Sequence, residues 1–209
     1  MDKTAQTELH RLYVIDHLPE PLTAASSHLQ IFDNYLPDTR LRLRKIRNPQ
    51  TNEWTRILQQ RFSPSDTKHG IGKLAEIYLN ESEYVLFERF EGREVRKNRY
   101  FHEYDNVMVA FDVYLGSLVG LNTARIDFED LAKMKEFLPP PFAVIEITDH
   151  PFFEDNTLAD RTSEDIRQLF QDETPTDAAT SPAIFNLSSH PEPLQNKVKP
   201  DQYKEKPSE

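Results

Sequence analysis

Cysteine is absent from all 209 residues, which excludes a disulfide scaffold, a cysteine nucleophile, zinc-finger sites and iron–sulfur clusters. Glycine is scarce, with 5 residues against 15 prolines. The phosphate-loop pattern GxxxxGK followed by Ser or Thr does not occur, nor does GxSxG or HExxH; the sequence therefore offers no support for a P-loop enzyme, a serine hydrolase of that type or a zincin. No run approaches the ~20 apolar residues of a membrane span, and the opening MDKTAQTELHRL lacks the apolar stretch of a secretory signal. Positive charge is in deficit: 25 Lys and Arg against 35 Asp and Glu leave a net charge of -10. That balance argues against general adhesion to duplex nucleic acid or an anionic membrane. A soluble, cytoplasmic protein is expected.

The apolar fraction of 37% is low against the ~45–50% of an ordinary globular domain. The deficit is concentrated after Phe170, where QDETPTDAATSPAIFNLSSHPEPLQNKVKPDQYKEKPSE is rich in Pro, Ser, Thr, Asp and Lys. Such a segment buries too little apolar area to offset its ordering entropy. Residues 1–170 are therefore expected to fold, and residues 171–209 to form a disordered polar tail. The short apolar cluster Ala183–Leu187 either docks on the body or on a protein partner, or is a passing apolar run.

Before Phe170 the dominant period is two. In DTRLRLRKI, Arg40, Arg42 and Arg44 fall on one face and Leu41, Leu43 and Lys45 on the other. ELHRLYVID, LQIFDNYL, WTRILQQRF, KLAEIYL, VRKNRYFHEY, NVMVAFDVYLG, LNTARIDFED and FAVIEITD alternate likewise. Eight or nine strands are expected, in antiparallel order because many are split by short polar turns such as Arg47–Thr51 and Asp105–Asn106. Helices are few. Asn80 and Glu83 predict a capped helix over Glu81–Phe90, and the acidic Ser163–Asp165 precedes Ile166, Leu169 and Phe170 at helical spacing. Pro139–Pro141 predicts an extended link into a strand that starts near Phe142. The expected fold class is mainly β (α+β), a closed antiparallel barrel with a few covering helices, closure removing exposed edges.

Charge recurs at alternate positions of several strands: Arg40, Arg42 and Arg44; Lys97 and Arg99; Arg125 and Asp127. The intervening Leu41, Leu43, Ala124, Ile126 and Phe128 are apolar. One such strand alone reads as solvated arginines over an apolar core. Several together favour a barrel with a polar, basic lumen whose walls pack outward against helices. A lumen of that kind suits a polyanion, because closely set guanidinium groups chelate phosphate oxygens. It also predicts that losing one arginine leaves stability unchanged or raises it, since like charges are relieved.

From about Thr7 to Phe170 the sequence resembles the CYTH domain, the family of triphosphate tunnel metalloenzymes. The E-x-E-x-K opening strand of that family is matched by Glu8, His10 and Leu12, its Y-L pair by Tyr35–Leu36, and its R-x-R strand by Arg42 and Arg44. LQQR supplies Arg61 where the family has a phosphate-binding lysine, and the K-x-R-Y motif is intact as Lys97, Arg99 and Tyr100. FDVYLG then supplies Asp112 and Gly116, GLNTARID supplies Arg125 and Asp127, and the closing P-x-x-x-x-E-V-T-x-D segment is matched by Pro141, Glu146, Thr148 and Asp149, with Asn156 beyond.

The resemblance implies eight antiparallel strands closing a tunnel that holds a phosphate chain and a divalent metal. It implies phosphate contacts from Arg42, Arg44, Arg61, Lys97, Arg99 and Arg125. For Mg²⁺ or Mn²⁺, hard ions that prefer oxygen ligands, it implies Glu8, Asp127 and Glu146, with Asp112 and His10 as further candidates. The departures bear on chemistry. His10 replaces a first-strand Glu, Arg125 replaces a Glu of the A-E-x-E strand, and Leu12 replaces a lysine. His10 is then either a metal ligand or a hydrogen-bonded structural histidine. Asp127 and Glu146 either hold metal or pair with Arg125 and its neighbours. Two functions follow from the resemblance: binding of a triphosphate-containing or polyphosphate ligand with metal-dependent hydrolysis weak or lost, or an active Mg²⁺- or Mn²⁺-dependent triphosphatase acting on inorganic, thiamine or nucleoside triphosphate. A structural, partner-binding role is a third.

Overall fold

The computed structural model describes residues 5–62 and 71–172. Among these residues nine strands form: β1 (Gln6–Val14), β2 (His28–Tyr35), β3 (Leu41–Arg47), β4 (Trp54–Phe62), β5 (Ile71–Tyr78), β6 (Arg93–Tyr104), β7 (Val107–Leu115), β8 (Asn122–Asp127) and β9 (Ile145–Glu146). Four helices accompany them: α1 (Glu81–Glu88), α2 (Leu131–Glu136), α3 (Asp155–Leu158) and α4 (Ser163–Asp172). The ring β5-β4-β3-β2-β6-β7-β8-β1 closes through β1–β5, with β9 added to β1 outside it. Every pairing is antiparallel. The expected closed eight-stranded barrel is therefore the architecture observed. No helix among the described residues is long and apolar enough to cross a membrane.

Local sequence explains the joints. Asp105 and Asn106 both take positive φ, 49° and 61°, as a two-residue type I′ hairpin turn requires, and these are residue types that tolerate it. Asn80 accepts from the Glu83 backbone N–H at 3.0 Å while the Glu83 carboxylate accepts from the Asn80 N–H at 2.8 Å, so α1 starts with a reciprocal cap. A side chain at Gly92 would approach the Tyr35 carbonyl oxygen to 2.6 Å, so only glycine lets the chain turn from α1 into β6 there. Periodicity alone does not reveal α2. Asp130 caps it by accepting from the Lys133 N–H at 2.8 Å, and Met134 is its buried anchor.

β1 is shared by three partners. One of its edges pairs with β8 over His10–Val14. The other pairs first with β5 over Gln6–Leu9, then with β9 at Tyr13–Val14. The strand expected from Phe142 is thereby cut to Ile145–Glu146. β1 leaves only two positions for it, and Phe142 turns instead into an apolar layer on the outer wall, edge-on to Tyr104 and Phe111 at 5.2 Å each. That layer contains the buried Tyr13, Tyr100, Val109, Phe111 and Ile126. A second cluster joins lumen-face residues Val14, Tyr35, Val95 and Tyr114 to Ile147, Phe153, Leu158, Ile166 and Phe170. The segment from Ile147 through α3 and α4 thus caps one end of the barrel. At roughly 1.5–3 kcal/mol per buried large apolar side chain, this cap is a substantial part of the fold. The expected tail beyond α4, with Ala183–Leu187, lies outside the described residues.

Candidate functional site

Strand alternation sends one set of side chains inward. Cross-strand partners share a face, and the register aligns Leu12 with Arg125, His10 with Asp127, Asp112 with Arg99, Asp33 with Arg44, and Arg42 with Gln59. The interior is therefore densely ionic. Asp33 and Asp112 are 0% and 2% exposed, Arg42 and Lys97 7% each, so the reading of these cations as solvated strand faces is excluded.

The charges are organised into three nodes, each a carboxylate joining two cations. Asp33 accepts from Arg44 Nε at 2.6 Å and Nη2 at 2.7 Å, with Arg42 at 3.7 Å. Asp112 accepts from Arg99 Nε and Nη2, both at 2.7 Å, and from Lys97 Nζ at 2.8 Å. Glu8 takes Arg61 on one oxygen and Arg125 on the other, both at 3.2 Å. Arg125 also donates to Asp127 at 2.9 and 2.7 Å. Arg42 in turn donates to Gln59 Oε1 at 2.7 Å and to the Tyr35 hydroxyl at 2.9 Å, and Gln59 donates to Glu76.

Burial alone would raise the Asp33 and Asp112 carboxyls. The adjacent guanidiniums of Arg44 and Arg42, and Arg99 with Lys97, more than offset it and hold both well below the usual carboxylate range. Burial lowers the Lys97 ammonium to about 8 even with Asp112 beside it. Asp33 and Asp112 are thus fully desolvated carboxylates, each gripped by one short bidentate arginine; Glu8 has no such partner. The Glu8 node is longer and more open.

No protein-family model matches the chain, and no curated protein matches it significantly. Among solved structures the chain is similar to the hypothetical protein NE1496 (TM-score 0.50, 21% identity, covering 73% of this chain and 97% of that one). It is also similar to the structure of the inorganic triphosphatase NE1496 (TM-score 0.49, 21% identity, covering 73% and 93%), and to a conserved hypothetical protein from Pyrococcus furiosus (TM-score 0.42, 13% identity, covering 62% and 84%). The chain shares the fold of NE1496, a closed barrel of eight antiparallel strands.

Inside this barrel the carboxylates named for a metal do not fit one as a set. Glu8 lies between two guanidiniums and Asp127 is bound by Arg125. Glu146 aligns with Tyr13, on the alternate face of β1 from Glu8, His10 and Leu12, and its carboxylate accepts from Arg11 Nε at 2.8 Å and from Thr148 at 2.7 Å. Those bonds, the Arg11 one foremost, hold the Glu146 carboxyl below its ordinary value. Among the described residues, no three His, Asp or Glu side chains converge to hold a metal ion. Asp112 is taken up by its own node, and His10 stands opposite Asp127.

The tunnel opens beside the α3 cap into a cavity of about 280 Å³ whose lining includes Arg42, Gln59, Arg61, Leu74 and Asn156. It shares Tyr35, Arg40 and Asn156 with a larger, more open one of about 630 Å³. Sequence reasoning misses Asp33, Gln59 and Glu76, the groups that orient Arg44 and Arg42. A signal for Asp33 is present: in LQIFDNYL it is the one acid on a face otherwise carrying Leu29, Ile31 and Tyr35.

Proposed function

We propose that the tunnel binds a triphosphate-containing or polyphosphate ligand directly through its guanidiniums, and that metal-dependent hydrolysis is weak or lost. The observation that carries this reading is Arg125. It occupies a position where the family resemblance implies a carboxylate, and its guanidinium holds both Glu8 and Asp127. A carboxylate that is already neutralised by arginine is a poor ligand for Mg²⁺ or Mn²⁺, whereas a guanidinium freed from it is a good clamp for a phosphate oxygen. When bound, a divalent ion would polarise the phosphoanhydride; Glu8 and Asp127 are the residues nearest to holding it. Leu12 brings no proton and no charge to that chemistry.

In this proposal Arg42 and Arg61 meet the ligand at the cavity, with Arg125 behind Glu8. Arg44, Lys97 and Arg99 are fixed in position by Asp33 and Asp112 and supply the surrounding positive field. Phosphate oxygens enter by replacing Glu8 on Arg61 and Arg125, where the hydrogen bonds are the longest of the three nodes. That NE1496 is an inorganic triphosphatase supports a triphosphate as the ligand.

Calorimetric titration with inorganic triphosphate, in chelator and in Mg²⁺, is expected to give similar affinities, with phosphate release near background. Restoring the family residues together, by His10→Glu, Leu12→Lys and Arg125→Glu, is expected to raise metal-dependent release. Wild-type turnover of ~1 per second or faster in Mg²⁺ or Mn²⁺, within the ordinary enzymatic range, would establish the active triphosphatase instead.

The folded unit is proposed to end with α4. Removing everything after Asp172 is expected to change stability by less than ~0.5 kcal/mol, typical of surface changes, which is a Tm shift under ~2 °C for a domain of this size. A loss of several degrees in a thermal melt would place part of the tail in the fold.

A further inference from the structure

Arg40 falls on the same face as Arg42 and Arg44 by alternation, yet the tunnel nodes do not use it. Its guanidinium lies over the Phe62 ring at 4.5 Å. Across the outer cavity Arg161 is arranged in the same way, over Phe152 at 4.9 Å, and its Nε is buried with no hydrogen-bond partner among the described residues. Neither arginine has a carboxylate within ion-pairing distance among the described residues, unlike the tunnel cations. Arg93, the third arginine lining this cavity, is bound to Asp160 at 2.5 Å. Asp38 lines it too, in the β2–β3 turn. The mouth thus holds two arginines outside any ion pair among the described residues, with Asp38 in the same lining, Glu154 in that of the inner cavity and Asp165 within electrostatic reach of Arg161.

An arginine stacked on an aromatic ring keeps its N–H edge free and loses little entropy on binding a planar or tetrahedral oxyanion. We infer that the outer cavity is a second anion subsite, in which Arg40 and Arg161, with the amide of Asn156, hold a phosphate group of a ligand whose inner phosphates occupy the tunnel. This rests on the tunnel reading for the inner end of the ligand only. The continuous lining of the two cavities through Tyr35, Arg40 and Asn156 gives one path for such a molecule. The outer phosphate belongs either to a linear chain longer than triphosphate or to a phosphorylated organic molecule.

The test compares affinities for inorganic triphosphate, linear polyphosphate and a nucleoside 3′,5′-polyphosphate in wild type, Arg161→Gln, Arg40→Gln and Arg42→Ala, all in chelator. Arg161→Gln and Arg40→Gln are each expected to weaken one or both longer ligands about tenfold or more, as for loss of a charge-assisted bond, while triphosphate stays within about twofold. Whichever longer ligand responds names the source of the phosphate. If both variants leave the longer ligands unchanged, or weaken triphosphate equally, the outer subsite is refuted. An Arg42→Ala protein that binds triphosphate normally would refute the tunnel reading instead, and a selective effect of Arg161→Gln on a longer ligand would still stand as evidence for the mouth.

Discussion

Asp112→Asn is expected to lower stability by about 3–5 kcal/mol, the range for breaking a buried ion pair by removing one partner. For a domain of this size that is a Tm fall of roughly 6–20 °C. The reason is local. Asp112 is almost wholly buried and accepts three bonds from Arg99 and Lys97. Asparagine would leave two desolvated cations facing a neutral amide. Lys97, already lowered to about 8, can release its proton, but Arg99 cannot and carries the penalty. Arg99→Ala should destabilise for the mirror reason, which reverses the expectation that losing a lumen arginine is neutral or favourable. The lumen is not a like-charge cluster; acids alternate with its bases. Thermal melts across pH check the sign. Asp33 and Asp112 have depressed carboxyls, so their contribution is complete above ~4, the unfolded value, and is lost as pH falls through the folded values. Lys97 acts with the same sign in a more alkaline window. Between about 8 and ~10.4 the unfolded chain binds the extra proton, so the lysine contribution to stability rises with pH there. A wild type that loses no stability on acidification below pH ~4 would contradict the ionic nodes.

Arg42→Ala is expected to weaken triphosphate binding by ~1.5–3 kcal/mol, the value of a hydrogen bond to a charged partner, or roughly 10–150-fold. Arg42 lines the inner cavity, and its loss still leaves Asp33 with the bidentate Arg44, so the fold should survive. Glu8→Gln should act in the other direction. It frees Arg61 and Arg125 from their shared counter-charge and is expected to tighten triphosphate binding in chelator by up to about tenfold, on the scale of one charge-assisted contact. The metal-ligand role for Glu8 predicts the opposite in Mg²⁺, a weaker complex. Isothermal titration of both variants, with and without Mg²⁺, separates the two roles. Unchanged affinity in Arg42→Ala, with triphosphate still protecting against heat, would move the binding site out of the tunnel.

Much of the fold is legible in the sequence because period-two alternation is a direct image of strand geometry. DTRLRLRKI and LNTARIDFED show which face is ionic, and Asp105–Asn106 marks a hairpin by its own conformational tolerance. Helix α2 is less legible, since a short helix around one buried Met134 gives almost no periodic signal. The partners of the cations are harder still. Asp33 meets Arg44, and Gln59 meets Arg42 and Glu76, only across neighbouring strands. Those meetings depend on register, and register is fixed by ring closure rather than by any short segment. The same reason explains Glu146. Its position in a family-like motif is visible in sequence, but the face it takes depends on β9 meeting β1 at Tyr13.

The way β1 is shared has a kinetic consequence during synthesis. One partner, β5, begins at Ile71, and another, β8, is complete only at Asp127. At ~5–20 residues per second, β1 emerges roughly 6–23 seconds before the ring can shut. Contacts this distant along the chain make slow-folding topologies. Throughout that interval the β8 edge of β1 stands open and Glu8 has no Arg125. β8 is the last stave fitted to the barrel, so chaperone demand and aggregation risk concentrate on the nascent chain before it appears.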